Sequence, residues 1–422
     1  MSMQIFRSLA HRNYRLFFAG QGISLIGTWM QQIAMTWLVY RLTDSPFLLG
    51  IVGFSSQIPA FLFSSFAGVV ADRWDRRRIL VVTQSLSMAQ ALAAAILTLS
   101  GIITVWQIIT LSLIIGLINA FDIPARQAFV VQMVGRKEDL PNAIALNSSL
   151  FNGARLIGPS IAGILVAVLG EGICFLLNTV SYVAVITALM MMQLVPGEQR
   201  ASDQRVLQRV KEGFRYAFGF PPIRSILLLL ALTSIMAMHL VLMPVFAREI
   251  FHGGPQALGA LMASIGVGAL AGAAYLASRS SILGLDRIIA FASGLVGIGL
   301  VAFAISRMFW FSLAMLAVTG FATMIQMASS NTILQTIADD DKRGRVMSLY
   351  AMAFMGMAPI GSLLGGSLAG SIGAPGAVLT GGIVCVLGSL AFARRLPVLR
   401  ASVRPTYLRL GILPSEKHAP KI

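Results

Sequence analysis

Charge is scarce in this chain: 11% of its 422 residues are Asp, Glu, Lys or Arg, against 57% that are hydrophobic. A soluble domain has about a quarter of its residues charged, so this composition argues against a water-solvated surface. Cysteine is nearly missing. Cys174 and Cys385 both lie in apolar stretches, which excludes a disulfide framework and any paired-cysteine metal site. No Gly-x4-Gly-Lys-[Ser/Thr] loop is present to cradle a nucleotide phosphate, and no His-Glu-x2-His pair offers a zinc site. The glycine-rich run 266–272 follows no strand and reads as packing glycine in an apolar helix. Neither an enzyme nor a resident cofactor or metal is expected.

Acidic residues are few as well, 16 against 32 basic, for a net charge of +16. Such an excess could serve nucleic acid, but the cations fall in short clusters between apolar stretches and not along one face. Loops of a membrane protein lie this way against an anionic leaflet. The 40 glycines and 16 prolines do not signal disorder, because both are common in membrane helices. The start, MSMQIFRSLAHRNYRLFF, lacks a small-residue cleavage site after a short apolar core. It reads as the entry to a retained helix.

A bilayer core takes about 20 apolar residues of helix. The charge-free intervals predict helices at 16–40, 46–70, 79–100, 105–123, 142–168 and 173–194, then at 224–246, 256–278, 288–306, 309–335, 346–370 and 375–394. The runs 79–121 and 346–393 are too long for one crossing; Gly101 divides the first and Gly373-Ala374-Pro375-Gly376 the second. The expectation is an all-α membrane protein of twelve transmembrane helices. With the N-terminus inside, 28 of the 32 basic residues fall in inside loops and tails, and only Arg41, Arg248 and Arg307 fall outside. That asymmetry predicts cytoplasmic termini in the inner membrane.

The longest polar segment, 196–224, contains VLQRVKEGFRYAF, which has the pattern of a helix lying on the membrane surface. It divides the chain into a six-helix bundle at 1–195, a cytoplasmic linker at 196–223, a second bundle at 224–395 and a basic tail at 396–422. The halves look alike. Residues 142–170 can be laid over 342–370 at a shift of 200, so that Gly158-Pro159 meets Ala358-Pro359 and Gly170 meets Gly370. A weak internal repeat of this kind is typical of transporters with a central site between two bundles.

The most specific motif follows the second predicted helix: Gly68-Val69-Val70-Ala71-Asp72-Arg73-Trp74-Asp75-Arg76-Arg77-Arg78. Gly68 and Asp72 share a helix face, where glycine admits a neighbouring helix and aspartate can cap one. Asp122, near the end of the fourth predicted helix, is the natural partner for these arginines. The motif resembles the loop signature of the major facilitator superfamily, Gly-x3-Asp-x2-Gly-Arg-[Arg/Lys]-x-[Arg/Lys], with Asp75 in place of the second glycine. The segments QGISLIGTWMQQIAMTWLVYRLTDSP, ADRWDRRRILVVTQ, FDIPARQAFV, DLPNAIALNSSLFNGARLIGP and RGRVMSLYAMAF are similar to enterobactin-exporter-like permeases, a siderophore and drug efflux branch. The resemblance implies the major facilitator fold of two pseudo-symmetric six-helix bundles. It also implies a gating cluster of Gly68, Asp72, Arg73, Arg76, Arg78 and Asp122. The alternative is that the basic run only fixes topology.

In the fifth predicted helix, Ala154, Gly158 and Ala162 make a small-residue stripe, with Pro159 and Gly163 beside it. Small residues let backbones pack closely, and Pro159 permits a bend. The arrangement resembles the antiporter Gly-Pro motif of the superfamily, with alanines at two of its glycine positions. Arg155 lies near the midplane of the same helix, where an unpaired arginine costs about 2.5–3.5 kcal/mol. Ser148, Asn152, Arg155 and Pro159 share a face. No carboxylate is placed to neutralise Arg155, so either an anionic substrate group or backbone and glutamine oxygens would satisfy it. Gln31, Gln57, Asn119 and Gln326 are candidate cavity contacts, though polar side chains in membranes also serve as interhelical glue. His239 could titrate near neutrality or act as a structural hydrogen-bonder.

These readings predict a monomeric rocker-switch transporter exporting small amphipathic molecules, siderophore or drug-like. The resemblance adds protons as the exchanged ion. An importer on the same scaffold and a non-transporting membrane sensor remain the alternatives.

Overall fold

The computed structural model describes residues 7–134, 136–193, 206–279 and 281–412; the side chains at 64, 65, 69, 71, 72, 137 and 206–211 are not described. The start of the expected linker and the last ten residues of the basic tail lie outside the described residues.

Hydrocarbon offers no partner to a backbone amide, so the apolar stretches close their hydrogen bonds within themselves as helices. The first half contains α1 (Arg12–Thr43), α2 (Pro46–Arg73), α3 (Arg76–Leu99), α4 (Val105–Met133), α5 (Leu140–Leu169) and α6 (Glu171–Met191). The surface helix α7 (Val206–Gly219) follows. The second half contains α8 (Pro221–Ile235), α9 (His239–Val245), α10 (Pro255–Ala277), α11 (Leu285–Ile305), α12 (Phe309–Ile337), α13 (Arg343–Met355) and α14 (Ala358–Arg409).

Among the described residues, ten helical segments are long and apolar enough to cross a membrane. The 32-residue α1, with buried Gln21, Ser24 and Gln31, adds an eleventh crossing. The last segment, Arg343–Arg409, holds two, because the chain turns at Gly373, φ 76° and ψ 160°. The fold is therefore twelve transmembrane helices in two six-helix halves. Three expected boundaries move. α4 runs on to Met133 beyond the expected end at 123, the last helix runs to Arg409, and the eleventh crossing bends at Gly356. A 29-residue helix is about 44 Å long against a core of about 30 Å, so these helices project beyond the hydrocarbon. Charge along the sequence marks where lipid ends, not where the helix does.

The halves repeat one packing plan. α2 packs on α4 and α3 on α6, as α10 packs on α12 and α11 on α14. The 200-residue repeat also carries a polar anchor that hydrophobicity could not show. Asp139, ahead of α5, binds Arg7 and His11 of the N-terminal segment. Asp339, ahead of α13, accepts a 3.0 Å hydrogen bond from Tyr216 of α7 and pairs with Arg409 at 3.4 Å.

The halves meet along two seams, α2 on α14 and α5 on α10. Both rest on glycine. A methyl group on Gly259 would stand 2.7 Å from the Pro159 carbonyl oxygen and 2.9 Å from the Gly163 Cα. One on Gly366 would stand 2.8 Å from both the Pro46 carbonyl oxygen and the Gly50 Cα. Both seams lie toward the end away from the chain termini, and there a single hydrophobic core joins the halves, including Leu49 and Val52 with Val241, Leu242 and Ala369. At the terminal end the core divides. Tyr14, Phe17, Leu80 and Phe129 form one cluster in the first half, and Ile223, Leu230, Leu334 and Val346 another in the second. Gly68, Gly153 and Gly344 have open space around them. The molecule is closed at one end and parted at the other.

Gly259→Val should destabilise the purified protein by roughly 1–3 kcal/mol through overpacking of the seam. Gly153→Ala, in open space, should not. Thermal melts of the two variants that coincide would remove the seam from this account.

Candidate functional site

Asp75 occupies the second-glycine position of the loop because it starts a helix: its carboxylate accepts the Arg78 N–H at 2.9 Å as the N-cap of α3. Arg76 reaches the Ala128 carbonyl at 3.3 Å and Arg77 the Met190 carbonyl at 2.6 Å, tying the loop to α4 and α6. Arg73 and Arg78 are exposed. Gly68 has no close helix neighbour, contrary to the close approach expected at that glycine, because the halves are parted at this end. The side chain of Asp72 lies outside the described residues.

Asp122 is 1% exposed and accepts hydrogen bonds from Thr83 at 2.8 Å and Gln84 at 2.7 Å. Its ion pair is with Arg126, one turn along α4. The extension of α4 past 123 supplies that partner, at the spacing where helical side chains meet.

Several polar candidates prove to be glue within one half. Gln31 donates to Gln90 at 2.8 Å and accepts from Asn178 at 2.6 Å, joining α1, α3 and α6. Its amide is consumed there, so Gln31 is corrected from cavity contact to interior bracket. Gln326 donates to Thr233 at 2.9 Å across α12 and α8. Gln57 lies in the α2–α14 seam, donating to the Gly53 carbonyl at 3.0 Å and reaching the Ser362 hydroxyl at 3.5 Å. Asn119 is half-buried on α4, without a hydrogen bond among the described residues.

The face of α5 predicted to be polar is the one turned toward the other half. Its Pro159 and Gly163 are buried against α10, and the seam extends to Leu156 against Gly266. Past that point the partner falls away. Arg155 and Asn152 are partly exposed and Ser148 is exposed. Asn152 donates to the Ser148 carbonyl at 2.9 Å. Arg155 lies over the Trp29 ring at 5.8 Å, and Trp29 meets Phe151 edge-on at 5.8 Å. Gly158 faces α1, where a methyl group would lie 2.5 Å from the Trp29 Cβ. α5 continues as one helix through Pro159.

The break occurs instead in the seventh crossing. Ala237, φ −70° and ψ 18°, interrupts it between α8 and α9. His239 follows directly, 5% exposed, with its Nδ1 buried and unpartnered.

A model of the family described as transmembrane secretion effector matches residues 4–407. The chain belongs to this family. It is a membrane transporter of the major facilitator superfamily and not an enzyme. The staphyloferrin A transporter of Staphylococcus aureus is 26% identical over 83% of this chain and 88% of its own. The multidrug efflux pump Tap of Mycolicibacterium fortuitum is 25% identical over 84% and 87%. The enterobactin exporter EntS of Salmonella choleraesuis is 25% identical over 86% of each chain. Solved transporter structures superpose on 90–96% of the chain with TM-scores of 0.63–0.72 at 11–16% identity, and these show the fold.

In this permease the closed end carries a polar latch that sequence reasoning missed. Tyr40, at the end of α1, hydrogen-bonds Glu249 across the halves, and Arg248 pairs with Asp44 at 2.5 Å and lies 5.8 Å from the Tyr40 ring. Arg41 pairs with Glu171 at 2.8 Å beside it. The signal was available: Arg41 and Arg248 are two of only three cations assigned to the outside loops. The Arg248–Asp44 pair is exposed on both sides and contributes about 1 kcal/mol or less, whereas Tyr40 and Glu171 are buried.

Arg248→Ala should leave the melting temperature nearly unchanged while loosening the closed end. A Ser362→Cys reporter in the seam should then label severalfold faster with an impermeant maleimide applied from the latch side. Cys174 and Cys385 are buried and should stay silent. Equal labelling rates with and without Arg248 would show that the latch holds nothing shut.

Proposed function

We propose that this protein exports small amphipathic molecules, siderophore or drug-like, by alternating access of the rocker-switch kind with protons as the exchanged ion. The observation that carries this reading is the division of the hydrophobic core. It is continuous across the halves at one end and split at the other, and the polar face of α5 enters the gap where the split begins. The names of the relatives support the direction and the substrate class, since two of the three are exporters or efflux pumps.

In this reading the basic end is cytoplasmic, in the inner membrane, and the closed seams and latch face outward. The state described is then the one that loads substrate from the cytoplasm. Residues 1–195 and 224–395 move as rigid bodies about the α2–α14 and α5–α10 seams, with 196–223 as cytoplasmic linker, 396–422 as tail, and one chain as the working unit. Asp72, Arg73, Arg76 and Arg78 steady the outward-open state by engaging the opposite half when the cytoplasmic end closes. Gly68 then provides the space for close approach. Arg155 and Asn152 line the path, Gly158, Pro159 and Gly163 form the pivot, and His239 is the candidate for proton coupling.

Inverted vesicles with an imposed pH gradient test the proposal. Substrate added outside should be taken up and should dissipate the gradient. Movement in the opposite direction would identify an importer, and binding without flux a sensor. Asp72→Asn should lower turnover roughly fivefold or more with expression intact, the scale of a coupling interaction. Normal turnover would remove Asp72 from the gate.

A further inference from the structure

Among the described residues, Arg155 is left without a polar partner. No described hydrogen bond or ion pair includes it; the residue is partly exposed, and its guanidinium lies beside the Trp29 ring. Neither a backbone carbonyl nor a glutamine oxygen reaches it among the described residues, which leaves water in the gap or a bound anion to satisfy it. Asp122 pairs with Arg126 and Glu171 with Arg41, and Glu249 accepts from Tyr40, so none of these carboxylates pairs with Arg155.

A second polar group faces the same need from the other half. His239 begins α9 immediately after the break at Ala237 and keeps a buried, unpartnered Nδ1. α9 packs against α1 and α10, the two helices that flank Arg155 through Trp29 and through Gly266 against Leu156. The Arg155 guanidinium attracts an anion, and a ring N–H of His239 on the opposite body can donate to the same anion. The guanidinium fork matches a carboxylate in a way that a point charge does not. Trp29 and Phe151, edge-to-face at 5.8 Å and both partly exposed, supply an apolar wall next to that charge.

We propose that Arg155 and His239 form a two-sided anion site taking the carboxylate of an amphipathic organic acid, whose apolar part lies on Trp29 and Phe151. This deepens the transport reading, on which it rests for its purpose but not for its binding chemistry. Because the two polar groups belong to different halves, an occupied site ties together the bodies that must move.

Three probes with one ring system and different charge decide it on the purified full-length protein: 1-naphthoate, 1-naphthalenemethanol and 1-naphthylmethylammonium. Naphthoate should raise the melting temperature and quench tryptophan fluorescence; the ammonium compound should do neither. Arg155→Gln should weaken naphthoate about tenfold or more, the loss of one charge-assisted interaction. Arg155→Lys should retain part of the affinity, and His239→Ala should weaken it severalfold. Equal binding of anion and cation by the native protein would overturn the site even if the variants fail to fold. So would wild-type affinity in a folded Arg155→Gln. Flux in proteoliposomes separates the two readings. Naphthoate binding without transport of any probe would uphold the site and end the exporter reading. Transport of the neutral or cationic probe without naphthoate binding would do the reverse.

Discussion

Two helices in hydrocarbon have no hydrophobic reason to touch, since lipid tails are as apolar as leucine, and the architecture depends on that constraint. Contact between the halves must come from shape, and glycine supplies it where Gly50 meets Gly366 and Gly163 meets Gly259. Backbones that approach this closely gain dispersion over many atoms without a water-filled alternative to overcome. A seam built this way is suited to part, whereas a leucine-rich interface of a soluble protein is not.

The distribution of polar side chains follows the same division. Inside a half they are paired: Gln31 with Gln90 and Asn178, Asp122 with Arg126, Thr83 and Gln84, Gln326 with Thr233. Unsatisfied polar groups in a low-dielectric interior are costly, so these networks hold the helices of each half together. Between the halves the pairing is incomplete. Arg155 and the Nδ1 of His239 lack described partners, and the Arg248–Asp44 pair of the latch is weak by its exposure.

The two halves share a plan but not its details. α1 is continuous, while its counterpart in the second half is broken at Ala237, and the break places His239 at the gap. The anchors at Asp139 and Asp339 keep the 200-residue spacing but hold different elements, the N-terminal segment in one case and α7 with the end of α14 in the other. Symmetry accounts for the packing, and departures from it supply the chemistry.

The helix number, the two-half division and the polar face of α5 were legible in the sequence because lipid exposure writes itself into runs of about 20 apolar residues and into helical periodicity. The position of Arg155 on an inward face could be read the same way. Pairing could not. Gln31 and Arg155 look equally conspicuous along the chain, yet one is bracketed inside a bundle and the other stands in the gap. Asp122 found its partner on a helical turn that hydropathy had placed outside the membrane. The latch joins residues more than 200 positions apart, Asp44 and Tyr40 with Arg248 and Glu249. Sequence alone determined which segments enter the bilayer, because that is a local contest between side chains and water. Only the tertiary structure decided which polar groups are satisfied, because a hydrogen bond depends on what another helix brings within 3 Å or so.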